Sequence, residues 1–115
     1  MQFETLPEYD KDLKRLLKKF RTLEEDIEIL KKVLAVQPKE SPPLSFRLTG
    51  YKEEYFIVKV KKITCRALKG RGANSGLRLI YEYKESEGKI VLVEIYFKGA
   101  DESENKERLQ SYYGK

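Results

Sequence analysis

Arg78 lies in Ser75-Gly76-Leu77-Arg78-Leu79-Ile80-Tyr81, and a second alternating run, Lys89 to Lys98, follows closely behind it. Read as the two strands of a β-hairpin, these runs put Arg78, Tyr96 and Lys98 on one face, because side chains alternate between faces along a strand. A guanidinium, a phenol and an ammonium on an open sheet face suit a phosphodiester. Arg grips two phosphoryl oxygens at once, Lys supplies a point charge, and Tyr stacks on a base or gives up a proton.

The same parity applied to Tyr55–Lys62 adds Lys59 and Lys61 to that face, next to Ile57. The set turned the other way is Phe56, Val58 and Val60 in the first strand, Leu77, Leu79, Tyr81 and Tyr83 in the second, and Val91, Val93, Ile95 and Phe97 in the third. The outward set also carries Ile57, Ile80, Ile90 and Leu92, with Glu94 among them. Sheets commonly leave one face to water and dot it with lysines for solubility. This much outward apolar surface favours instead a groove with an apolar floor and cationic walls.

The connection Cys65 to Gly76 holds Arg66, Lys69 and Arg71 among glycines that allow backbone N–H groups close to an anion. It reads either as a phosphate-contacting, RNA-binding loop or as a plain long hairpin loop. It lacks the lysine-hydroxyl ending of a P-loop, which argues against nucleotide binding. Cys65 reads as a small buried apolar residue, since no base partner for a nucleophile is evident.

The elements that must position these strands come before them in the chain. Met1–Thr5 alternates and reads as an edge strand. From about Pro7 a helix presents Leu13, Leu16, Leu17 and Phe20 as one apolar stripe, with Lys11, Lys14, Arg15, Lys18 and Lys19 opposite. Those cations are a solvated face or a contact for a large RNA. Thr22-Leu23-Glu24-Glu25 reads as a capping box that starts a second helix, with the stripe Leu23, Ile27, Leu30, Val33 and Leu34. Pro38, Pro42 and Pro43 make the following stretch a loop. Asp101 to Tyr113 reads as a charged segment with a last short helix. The expected fold class is therefore α+β. The N-terminal strand and an αα-hairpin pack on one face of a small, mainly antiparallel sheet of about four strands, followed by a short C-terminal helix.

At 115 residues the chain is one domain, residues 1–115. Lys and Arg number 24 against 19 Asp and Glu, a net charge of +5, which leans toward a polyanionic partner. One cysteine excludes an internal disulfide and suits a reducing cytoplasm. Without histidine there is no Ser-His or Cys-His pair, and with a single cysteine no structural zinc set. The N-terminus lacks a signal-peptide pattern, and no apolar run approaches the roughly 20 residues of a membrane span.

The order of elements, together with Leu48-Thr49-Gly50, Ile57-Val58-Lys59-Val60-Lys61, the Ser75–Tyr81 string and Glu94-Ile95-Tyr96-Phe97-Lys98, resembles the RelE/ParE superfamily of type II toxin–antitoxin toxins. The Cys65–Gly76 string followed by Arg78 is similar to its ParE-like toxin branch. The resemblance spans nearly the whole chain. It implies a ribosome-dependent mRNA endonuclease (mRNA interferase), neutralised by a cognate antitoxin and needing no cofactor. The alternatives are a non-catalytic toxin of the same fold that inhibits DNA gyrase, or an RNA-binding module.

By motif, Lys59, Lys61, Arg78 and Lys98 match the family's basic residues, with Arg66, Lys69 or Arg71 as alternative counterparts of the strand lysines. The chain departs from the RelE pattern in two ways. Gly99 follows Lys98 where a further arginine is usual, and Asp101-Glu102-Ser103-Glu104-Asn105 stands where a catalytic tyrosine is usual. The available tyrosines are Tyr96, Tyr112 and Tyr113.

Cleavage without histidine or metal would use the RNA 2′-hydroxyl as nucleophile. Arg78 would grip the phosphoryl oxygens. A lysine crowded by cations gives up its proton more readily, making Lys59 or Lys61 the candidate base, with Glu94 as an alternative. Tyr96 or Lys98 would be the acid.

Overall fold

The structure, a computed structural model, describes residues 1–115. In chain order the elements are β1 (Gln2–Thr5), α1 (Pro7–Leu17), α2 (Leu23–Val36), β2 (Ser45–Arg47), β3 (Phe56–Val60), β4 (Leu77–Lys84), β5 (Lys89–Phe97) and α3 (Lys106–Tyr113). They form one five-stranded sheet in the order β1-β5-β4-β3-β2. β1 runs parallel to β5, and every other pair is antiparallel. This is the α+β architecture expected from the sequence, with one short strand more than the periodicity shows. β2 has only three residues, too few to display an alternating pattern.

α1 begins where Pro7 supplies a preset φ at the first helical position, and Glu8 and Asp10 oppose the positive end of its dipole. Tyr9, Leu13, Leu16 and Phe20 turn toward the sheet and meet Leu23, Ile27 and Leu34 of α2 over Val58, Leu79, Tyr81, Leu92 and Ile95. Val33, expected in the α2 stripe, is instead 56% exposed at its margin. The capping box does not form. Thr22 holds the N-cap position, but its hydroxyl donates to Asp26 at 2.8 Å and accepts from the Ala67 N–H at 2.9 Å, tying α2 to the 65–76 connection.

The strand parity holds for β3 and β4 and fails in half of β5. Ile80 pairs with Glu94 but Tyr81 pairs with Leu92, so Val93 is an extra residue in the ladder. This bulge reverses the faces on its N-terminal side. Ile90 and Leu92, expected outward, pack beneath the helices, whereas Val93, expected beneath them, joins the opposite face. Beyond the bulge, Ile95 packs under the helices as expected.

The outer face is not an open groove. α3 folds back across it, and Leu109 and Tyr113 bury Ile57, Ile80 and Val93 in a second apolar cluster. Of the apolar floor expected from the sequence, Ile57 and Ile80 are the seat of the chain's own last helix, while Ile90 and Leu92 lie on the other side of the sheet. Tyr55 and Tyr113 meet edge-on with centroids 5.1 Å apart. The outer face therefore divides into a lower half under α3 and an upper half, toward the C-terminal end of β5, where the cations lie.

Glu82 is buried at the α3-covered end. Burial pushes its carboxyl above the ordinary value of 4.5, against the opposing pull of Lys84 and Tyr113. Folding thus favours the protonated form. The stability this confers is complete at pH below 4.5 and lost as pH rises through the folded-state value. Glu82→Gln is expected to melt higher than the wild type at pH 7 and to match it near pH 4, as followed by circular dichroism. A lower melting temperature at pH 7 would show that the carboxylate is stabilising.

Candidate functional site

The register of β3, β4 and β5 builds the site. Lys59 stands opposite Ile80, and Ile80 opposite Glu94, across three strands; in the next row Arg78 stands opposite Tyr96. Lys61 lies just past the end of β3, on the Arg78 row. Arg78 donates to the Lys61 carbonyl at 2.9 Å and to the Leu77 carbonyl at 3.2 Å, which holds the half-buried guanidinium at the rim of the face. The Lys59 ammonium lies 5.7 Å from the centroid of the Tyr96 ring. The structure thus brings Lys59, Lys61, Arg78 and Tyr96 together. Lys98 follows β5, exposed, its N–H bonded to the Gly76 carbonyl at 2.8 Å.

Lys59 does not have the environment of a base. Its Nζ is 2.8 Å from Glu104 Oε1, and both side chains are largely covered. Burial alone would push Lys59 down, but its bonds to Glu104 and Tyr96 outweigh it and hold the ammonium above its ordinary value. Held in this way, Lys59 is better suited to supply a positive charge than to take a proton. The Glu104 carboxyl, which burial would raise, is held below its ordinary value by Lys59.

Tyr96 is buried, and burial raises its phenol above the ordinary value, so it stays protonated at neutral pH. Burial also raises Glu94, although its two oxygens accept from the Asn105 N–H at 2.9 and 3.1 Å. Lys61 is exposed, its ammonium 4.9 Å from the centroid of the Phe46 ring.

Arg66 is placed elsewhere. Its side chain bonds Asp26 at 3.2 Å and also pairs with Glu25, pinning the 65–76 connection to α2. Lys69 and Arg71 are exposed on that connection. Cys65 is buried and free, as read from the sequence, with its sulfur 3.7 Å from the Thr22 hydroxyl. Gly76, at φ +85°, turns the chain into β4 under the Phe97 ring. A Cβ there would stand 3.0 Å from the ring, and one at Gly99 would run into it. Both glycines let Phe97 lie flat beneath Lys19, whose ammonium sits 4.6 Å from the ring centroid.

An open cleft of about 680 Å³ runs from Tyr96 and Glu94 to α1, with Arg15, Lys19 and Arg108 on its walls. At its floor lies an ion pair absent from the sequence reading. Arg108 grips Asp12 with both terminal nitrogens, at 2.7 and 3.1 Å, and donates to the Val93 carbonyl at 2.9 Å. β1 pairs with β5 only from Lys89 to Leu92, so no strand covers the β5 edge beyond; Asp12 accepts the Ile95 N–H there at 3.3 Å. The signal was available, because Asp12 falls on the Tyr9, Leu16, Phe20 face of α1, where a carboxylate must find a partner. No group of three or more His, Cys, Asp or Glu side chains is placed to hold a metal ion. No helix is long and apolar enough to cross a membrane.

No protein-family model and no curated protein matches the sequence. Among solved structures, the chain superposes on a metal-bound toxin from Helicobacter pylori with TM-score 0.53 and 25% identity, over 88% of this chain and 98% of that one. A conserved hypothetical protein from Helicobacter pylori matches with TM-score 0.52 and 28% identity, over 86% and 96%. A chain of the Escherichia coli DinJ–YafQ complex matches with TM-score 0.57 over 89% and 98%, at 13% identity, a likeness of fold alone. This is a RelE/ParE-like toxin fold. Within that fold, Lys59, Lys61, Arg78 and Tyr96 occupy the half of the outer sheet face that α3 leaves uncovered.

Proposed function

We propose that the chain is the toxin component of a type II toxin–antitoxin system and acts as a ribosome-dependent mRNA endonuclease. The observation that carries this reading is the row of Arg78 and Tyr96 beside Lys59 on the stretch of sheet beyond α3. The likeness to a Helicobacter pylori toxin supports the toxin role. In this reading Arg78, Lys59 and Lys98 hold the scissile phosphate and stabilise the charge that grows on it. Tyr96, which retains its proton, donates to the leaving 5′-oxygen.

With Lys59 fixed as a cation, the 2′-hydroxyl proton goes to Glu94 or Lys61. Glu94 has the better environment, because burial moves a carboxyl toward the range in which it accepts protons usefully at neutral pH. The exposed Lys69 and Arg71, with Lys14 on α1 and Lys18 and Lys19 just past its end, give a longer cationic surface for RNA on the ribosome. The partner that restrains the toxin is a cognate antitoxin, and the site of action is the cytoplasm.

Induced expression without an antitoxin tests this directly. The wild type should arrest growth and leave new cuts in translated mRNA, mapped by primer extension. Arrest with intact mRNA would overturn the nuclease reading and point to a protein target such as DNA gyrase.

A further inference from the structure

Between Phe97 and Asn105 the chain crosses the upper outer face as a strap. Gly99 to Ser103 are exposed, and the acidic residues Asp101, Glu102 and Glu104 lie along it. At its two ends it is held closed by the Asp101 N–H on the Phe97 carbonyl at 3.0 Å and by the Asn105 N–H on Glu94. Between those ends it is held by the Glu104–Lys59 ion pair. The strap lies against the groups assigned to RNA: Glu104 neutralises Lys59, and Asn105 occupies both oxygens of Glu94.

We infer that the 99–105 strap is an autoinhibitory gate in which the Glu104 carboxylate stands on Lys59 in place of the RNA phosphate. The inference rests on the nuclease reading of this face. A carboxylate and a phosphodiester present the same chemistry to an ammonium, an anionic oxygen at hydrogen-bond distance. Lys59 is largely covered and must keep an anionic partner, so the strap can leave only as another anion arrives. The same movement withdraws the Asn105 N–H from Glu94, so displacement also uncovers the base. Gly99 lies where the strap leaves the Phe97 ring, at a point too close to the ring for a larger residue.

The test uses a fluorescent 2′-O-methyl RNA dodecamer of mixed sequence, which lacks the nucleophile and cannot be cut. Because a closed gate lowers apparent affinity by the open fraction, Glu104→Gln should bind about tenfold tighter than the wild type in anisotropy titrations. Glu107→Gln, on the exposed face of α3, makes the same charge change and should stay within about twofold of the wild type. Hydrogen exchange on the wild type gives a second readout that needs no variant. Bound RNA should strip protection from the Asn105 amide and leave that of Leu109 intact.

If Glu104→Gln binds no tighter than Glu107→Gln, or Asn105 stays protected with RNA bound, the gate is wrong while the site stands. If neither protein's affinity responds to Arg78→Ala, the reading of the face falls and the gate falls with it.

Discussion

Replacing Arg78 by alanine is expected to lower the rate of mRNA cleavage by about 10²- to 10³-fold, the effect of removing one preorganised donor from a developing oxyanion. The loss should appear in kcat more than in KM, because the phosphoryl oxygens gain charge only as the 2′-oxygen attacks. Arg78→Lys should recover part of it, since a point charge remains but the two-pronged grip does not. The fold should tolerate both changes. Arg78 bonds only backbone carbonyls at the rim of the sheet, contacts worth about 1 kcal/mol each. Single-turnover cleavage on ribosome-bound message, with thermal melts of the same samples, separates the two effects. A rate unchanged by Arg78→Ala would remove this residue from the chemistry.

The largest effect on stability is expected at Asp12. Its carboxylate lies under α1, takes both terminal nitrogens of Arg108, accepts from Arg15 at 3.0 Å and covers the Ile95 N–H on the unpaired stretch of β5. Arg108 is only 12% exposed, and its bonds to Asp12 raise it further above its already high ordinary value. Asp12→Ala leaves that guanidinium buried without its counter-charge, a loss of about 3–5 kcal/mol. Domains of this size are stable by roughly 5–15 kcal/mol, so the variant should sit near the edge of folding.

Arg108→Met in the Asp12→Ala background should recover a substantial part of the loss, because the uncompensated charge goes with it. Urea unfolding of the single and double variants measures both quantities. Additive losses would show that the two residues do not act as a pair.

These two residues mark how far the chain could be read in advance. Arg78, Tyr96, Lys59 and Lys61 were legible because strand parity has a period of two, and β3, β4 and the last four residues of β5 keep it. Ile90, Leu92 and Val93 were not, since the bulge at Val93 is flagged by no glycine or proline and depends on how β4 and β5 pair. Asp12 and Arg108 are 96 positions apart, and only the fold joins them. Glu104 belongs to a segment whose path over the sheet is set by contacts at its ends. Its sequence shows charge but not that the charge meets Lys59. The C-terminal helix was foreseen, but its seat on Ile57 and Ile80 was not, because a pattern of apolar residues shows that a face is covered and not by what.

The central claim is that the Lys59, Arg78 and Tyr96 face cuts mRNA on the ribosome. Purified protein added to a cell-free translation reaction with end-labelled message tests it most directly. Wild type should give discrete cuts within the translated region, leaving a 2′,3′-cyclic phosphate and a 5′-hydroxyl, and Arg78→Ala should leave the message whole. Intact message with wild-type protein, alongside loss of supercoiling in a gyrase assay, would contradict the account.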